Sequence, residues 1–153
     1  MTTTSRAADA IDALVGLLQA APGLADASIV DGPDVAGHKK RTVCVGWDGN
    51  PDGEGLAVEW QQAWASVGQR AKNETFSVTC AVVAWDGGTA VRPIRDAAYV
   101  LLGAVEDALR GNPSLGFPPP TIVAVTSGAT FQEQIPEGRL CRVTFQVAVQ
   151  TRI

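Results

Sequence analysis

The closing stretch, CRVTFQVAVQTRI, constrains the fold more than any other part of the chain. Cys141, Val143, Phe145, Val147, Val149 and Ile153 fall on one side of a two-residue period. Arg142, Thr144, Gln146, Ala148, Gln150 and Arg152 fall on the other. Only an extended strand separates these sets, because successive side chains of a strand point to opposite faces. A run over 140–153 at about 3.3 Å per residue reaches roughly 43 Å, well beyond an ordinary strand. Such a strand belongs to a wall-like sheet. Its apolar face needs a cover, and its mildly polar face is left for water or a partner.

Other segments supply the cover. Ala8, Ile11, Leu14, Val15 and Leu18 repeat at three and four residues, which predicts a helix over roughly 5–20, stopped by Pro22 and Gly23. A second helix starts near Pro93, with Ile94, Ala98, Leu101, Leu102, Val105 and Leu109 as its apolar stripe. Gly111 is its expected C-terminal cap, and Pro113 prevents continuation. Strands are expected at 42–47, 75–85 and 121–126, after a short apolar stretch at 27–30 that ends in the turn DGP. The segment LAVEWQQAWASVG fits neither period and stays open between strand and short helix. These elements predict one α+β domain over residues 1–153, a mainly antiparallel sheet with two helices on one face, in the order α-β-β-β-α-β-β.

One loop invites a specific chemistry. Residues 48–59, DGNPDGEGLAVE, match the calcium loop of the EF-hand at every defining position. Asp48, Asn50 and Asp52 would supply oxygens at positions one, three and five, Gly53 the sharp turn, and Glu59 the bidentate carboxylate. The context argues for a solvated inter-strand loop instead. The entering segment RTVCVGW is strand-like, Pro51 restricts the turn, and Gly55 stands where an aliphatic residue would pair with a second loop. Asp, Asn, Gly and Pro are also the residues any exposed turn collects. A calcium-binding module nonetheless remains the alternative from a different functional class, and no cofactor is otherwise expected.

Composition and motifs exclude more than they select. Twelve basic and sixteen acidic residues leave a net charge of −4, which gives no general attraction for DNA or anionic lipid. Cys44, Cys80 and Cys141 lie in apolar strand-like runs without metal-ligand spacing, so free buried thiols and a reducing compartment are expected. The N-terminus lacks the basic start and apolar block of a signal peptide, and no apolar run approaches the ~20 residues needed to span a bilayer. A soluble intracellular protein follows. No GxSxG, P-loop, GxGxxG or HExxH occurs, and the one histidine, His38, sits in the basic turn GHKKR. No catalytic function is expected. Trp47, Trp60 and Trp64 fall in one window around the acidic loop, and tryptophan is enriched in interface cores. Trp60 and Trp64 are therefore interface candidates, with Arg139, Arg142 and Arg152 as polar partners.

The order of elements and several strings resemble the tail terminator (tail completion) proteins of long-tailed, siphovirus-like bacteriophages. The strings are ALVGLLQAAPGL, EWQQAWASVGQRAKNETFSVTCAVVAW, RDAAYVLLGAVEDALRGNPSLG and CRVTFQVAVQTRI, and together they cover most of the chain. Glu74 two residues before Phe76 and the NPSLG exit at 112–116 carry the resemblance most closely. It implies a small α+β subunit of a hexameric ring seated on the tail tube protein. The ring stops tube polymerisation and meets a head connector, while DNA passes the lumen without sequence readout. It also implies a virion location at the head–tail junction after assembly in the bacterial cytoplasm. Another ring-forming head–tail connector protein is the nearest alternative, and no functional residue is carried over from the family.

Overall fold

In the computed structural model, which describes residues 3–34, 37 and 39–153, the elements follow the order α-β-β-β-β-α-β-β around one six-stranded, mostly antiparallel sheet. Two long strands form its spine, β4 (Lys72–Asp86) and β6 (Gly138–Arg152). They pair antiparallel from Asn73↔Arg152 to Asp86↔Arg139. Strand β5 (Ile122–Ile135) pairs with the outer side of β6, and β2 (Arg41–Val45) and β3 (Val58–Trp64) share the other side of β4. The short β1 (Ser28–Asp31) runs parallel to β2 and ends at Gly32, whose φ of 75° turns the chain. All other neighbours are antiparallel.

Both helices pack on the apolar face of the spine, as the alternation requires. Helix α1 (Ala7–Ala20) buries Ala10, Leu14 and Leu18, and helix α2 (Arg92–Gly111) buries Ile94, Ala98, Leu101, Val105 and Leu109. These meet Phe76, Val78, Cys80 and Val82 of β4 and Val143, Phe145, Val147 and Val149 of β6 in one core. Pro93 stands in the first turn of α2, where its missing N–H has no helical partner to lose. Among the described residues no helix is long and apolar enough to cross a membrane.

Two expectations need correction, and one open segment is decided. Gly111 is the last residue of α2, and the cap is Asn112, with φ −144°. The positive φ angles come later, at Leu115 and Gly116. The strand expected at 121–126 continues to Ile135, forming a hairpin with β6. Its second half, SGATFQEQ, is exposed on both faces, so no apolar period announces it. The ambiguous segment contains the strand β3, placed by its ladder to β4 despite exposed Trp60 and Trp64.

One buried carboxylate ties the layers together. Glu74 on β4 has no solvent-exposed surface. Its Oε1 accepts the Arg6 backbone N–H at 2.8 Å, and its Oε2 accepts Gln62 Nε2 at 2.6 Å. Gln62 Nε2 also donates to the Thr4 carbonyl at 2.7 Å. Residue Arg6 gives α1 no side-chain cap, so Glu74 performs that role from another element. Replacing Glu74 with alanine removes the acceptor of the Arg6 N–H and one of the two acceptors of Gln62 Nε2, and is expected to lower unfolding stability by about 2 kcal/mol in urea titrations. Glu74→Gln, which retains an acceptor, is expected to cost less than half as much.

Candidate functional site: the loop face and the open sheet edges

The stretch 41–64 is one strand lane broken by a loop. Strand β2 pairs with Cys80–Ala84 and β3 with Lys72–Val78 along the same side of β4, and Thr79 N–H bridges the gap to the Ala57 carbonyl at 2.9 Å. Residues 46–57 leave the lane and fold over the sheet face opposite the helices. Trp47 is buried there with Cys44 and Ala81. Gly49 follows with φ 75°, and a Cβ on it would stand 3.1 Å from Arg142 Cδ and 3.4 Å from Ala81 Cβ. The backbone angle favours glycine, and a side chain here would press on Arg142.

Arg142 anchors the loop. It is only 7% exposed, and its Nη1 donates to the Asp48 carbonyl at 2.9 Å. Its guanidinium lies 4.4 Å from the Phe131 ring centroid, and Nη2 stands 3.8 Å from Glu133 Oε1. Asp48, Asn50, Phe131, Arg142, Thr144 and Gln146 thereby border an open cleft of about 470 Å³. Sequence alternation assigned Arg142 to the polar face correctly, and the fold engages it within the chain. Arg139 donates to the Thr89 carbonyl and to Gln134 Oε1, each at 3.2 Å. Arg152 donates to Asn73 Oδ1 at 3.0 Å and stays exposed.

The calcium-like letters serve the loop's own turns. Asp48 Oδ1 accepts the Asn50 N–H at 2.9 Å, Asn50 Oδ1 accepts the Asp52 N–H at 3.1 Å, and Gly53 N–H returns to the Asn50 carbonyl at 3.0 Å. These are Asx turns, the local alternative such residues offer a backbone. The left-handed angles belong to Gly49 and Gly55, and Gly53, the expected turn glycine, has none. Glu59 is exposed on β3, opposite Ser77. Among the described residues no group of three or more His, Cys, Asp or Glu side chains gathers as a metal site.

The remaining candidates divide sharply. Trp60 is 51% and Trp64 65% exposed, both on the helix-bearing face of β3, with Lys72 Nζ 5.2 Å from the Trp64 ring. Burial raises the Cys44 and Cys80 thiols to about 12 and shifts Cys141 upward as well, so none is a nucleophile near neutral pH. His38 lies outside the described residues. Sequence reading missed the free edge of β5, because a strand exposed on both faces carries no periodic signal.

Arg142→Ala is expected to lower stability by about 2 kcal/mol and to open bonds within 48–57 to limited proteolysis before any other segment. Millimolar calcium is expected to leave the thermal midpoint of the wild-type protein unchanged. Asp48→Ala is expected to lower it equally with calcium or chelator, by the equivalent of about 1 kcal/mol, since a turn acceptor is lost. A calcium-dependent midpoint that vanishes in the variant establishes the metal reading.

No protein-family model matches the chain, and no curated protein matches its sequence.

Proposed function

We propose that the chain is a structural, non-catalytic subunit of a phage tail. It forms a ring, six-fold on the resemblance, that caps the tail tube, halts tube polymerisation and presents a surface to the head connector. The observation that carries this reading is the placement of Trp60 and Trp64. Two tryptophans stand more than half exposed on a seven-residue strand whose outer edge has no partner within the described chain. Exposed indoles of this kind are what interface cores bury. The strings that carry the resemblance fall on α1, on β3–β4, on α2 and on β6, which are the elements that build the sheet and its cover.

Charge supports a channel role of the undemanding kind. The formal charge of −4 gives no general attraction for passing DNA. The sheet face opposite the helices presents Thr75, Ser77, Ala148 and Gln150, with Gln61 and the Glu59 carboxylate beside them, a largely small-residue surface whose one charge is acidic. Such a surface binds neither phosphates nor bases strongly.

The test is native mass spectrometry and electron microscopy of the purified protein, alone and mixed with polymerised tail tubes. Six-fold rings, free or seated at tube ends only, and arrest of tube elongation are the expected results. A protein that stays monomeric and ignores tube ends overturns the proposal. Trp60→Ala with Trp64→Ala is expected to abolish the rings while changing unfolding stability by less than about 0.5 kcal/mol, because exposed side chains contribute little to the isolated fold.

A further inference from the structure

Among the described residues the sheet has open edges at β3 and β5, and their directions are complementary. Strand β5 runs antiparallel to β6, which runs antiparallel to β4, so β5 and β4 share one direction. Strand β3 runs antiparallel to β4. The two outer strands therefore oppose each other. Placing a second copy beside the first by simple translation brings β5 of one against β3 of the other as antiparallel neighbours, the favoured ladder.

Both edges are only lightly guarded against such pairing: the one bulge of β5 lies between Val125 and Ser127, before its 127–135 half, and charges are sparse. Residues 127–135 of β5, SGATFQEQI, include one charge, Glu133, and no proline. Strand β3 includes one charge, Glu59, and no proline. The third outer strand, β1, is only four residues long and ends in Asp31 and Gly32.

Side chains on the shared face complete the match. Gln62 on β3 reaches Glu74 and the start of α1, which places Trp60 and Trp64, two residues to either side, on the helix-bearing face. On the β5 side, Tyr99 of α2 is 49% exposed and its hydroxyl lies 2.6 Å from Thr130 Oγ1. Arg95 Nη1 donates to Gln132 Oε1 at 2.9 Å. Tyr99 and Arg95 thus form a shelf of aromatic ring and guanidinium beside the free edge of β5. Indoles stack well on both groups.

We infer that copies of this chain join head to tail by antiparallel pairing of β3 with the 127–135 half of β5, with Trp60 and Trp64 packed on the Tyr99–Arg95 shelf of the neighbour. The inference rests on the ring reading above and names the surfaces that close the ring. Because β1 fills the lane outside β2, the paired copies are staggered along their strands, as strands are in any sheet closed on itself. The contact is heterologous: each copy offers one edge and receives the other, the arrangement that generates rings.

Two variants test this. Trp60→Lys with Trp64→Lys disables the β3 edge, and Ala129→Lys with Gln134→Lys disables the β5 edge; circular dichroism establishes that each is folded. Wild-type and variant proteins at high micromolar concentration are chemically cross-linked and weighed by mass spectrometry. The wild type is expected to form a closed oligomer and each variant alone to remain monomeric. An equal mixture is expected to give a one-to-one heterodimer and nothing larger, since one intact edge remains in each partner. A variant that oligomerises alone, or a mixture that yields no heterodimer, overturns the edge pairing while leaving a ring built by other surfaces. A wild type that stays monomeric, even with polymerised tail tubes added, overturns the ring reading and the pairing together.

Discussion

Fourteen consecutive cross-strand pairs, from Asn73↔Arg152 to Asp86↔Arg139, lock β4 to β6 without a bulge. Everything else takes its position from this ladder. Side chains alternate along both strands, so a slip of one residue would turn Val78, Val82, Phe145 and Val147 out of the core together. Burying each such side chain stabilises the fold by about 1.5–3 kcal/mol before conformational entropy is counted. The register is therefore held by the helices as firmly as by hydrogen bonds. Leu14 and Leu18 of α1 and Ile94 and Val105 of α2 have no other surface on which to bury themselves.

The ladder also explains why the loop is where it is. Residues Cys80–Ala84 are buried on both faces, which an antiparallel strand with one wet face would not be. The second cover is the excursion between β2 and β3, which lays Trp47 on Ala81 and Gly49 against Arg142. Acidic and amide groups at its tip shape the turns that return the chain to the lane. A loop of this composition looks like a ligand site when read as letters. Its geometry also covers the middle of the sheet.

What could be read from the sequence follows from burial. Strands β4 and β6 and helix α2 each carry a continuous buried face, and their periods place them to within three residues at either end. The second half of β5 and the whole of β3 have no fully buried face, and those were the segments left short or undecided. Arg142 shows a different limit. Alternation places it on the polar side, yet only the three-dimensional path of 46–57 reveals that this position is covered and the guanidinium engaged. The buried cysteines needed no such information, since each lies in an apolar run that forms an inner strand. The C-terminal cap of α2 falls at Asn112, one residue beyond Gly111, within the scatter of one or two residues common to helix ends.

The two segments that periodicity describes worst are also the two open edges. A strand exposed on both faces is held in place by its ladder to one neighbour, and the core exerts no selection on its side chains. Such a strand is free to be charged, and an unprotected edge gives it reason to be so. Strand β1, the remaining outer strand, is short and ends in an acidic residue. By contrast β3 retains two tryptophans and β5 keeps a single carboxylate, itself turned toward Arg142. The isolated fold does not require those choices. Apolar residues on an edge that stability leaves unconstrained are the surface that the proposed assembly would cover.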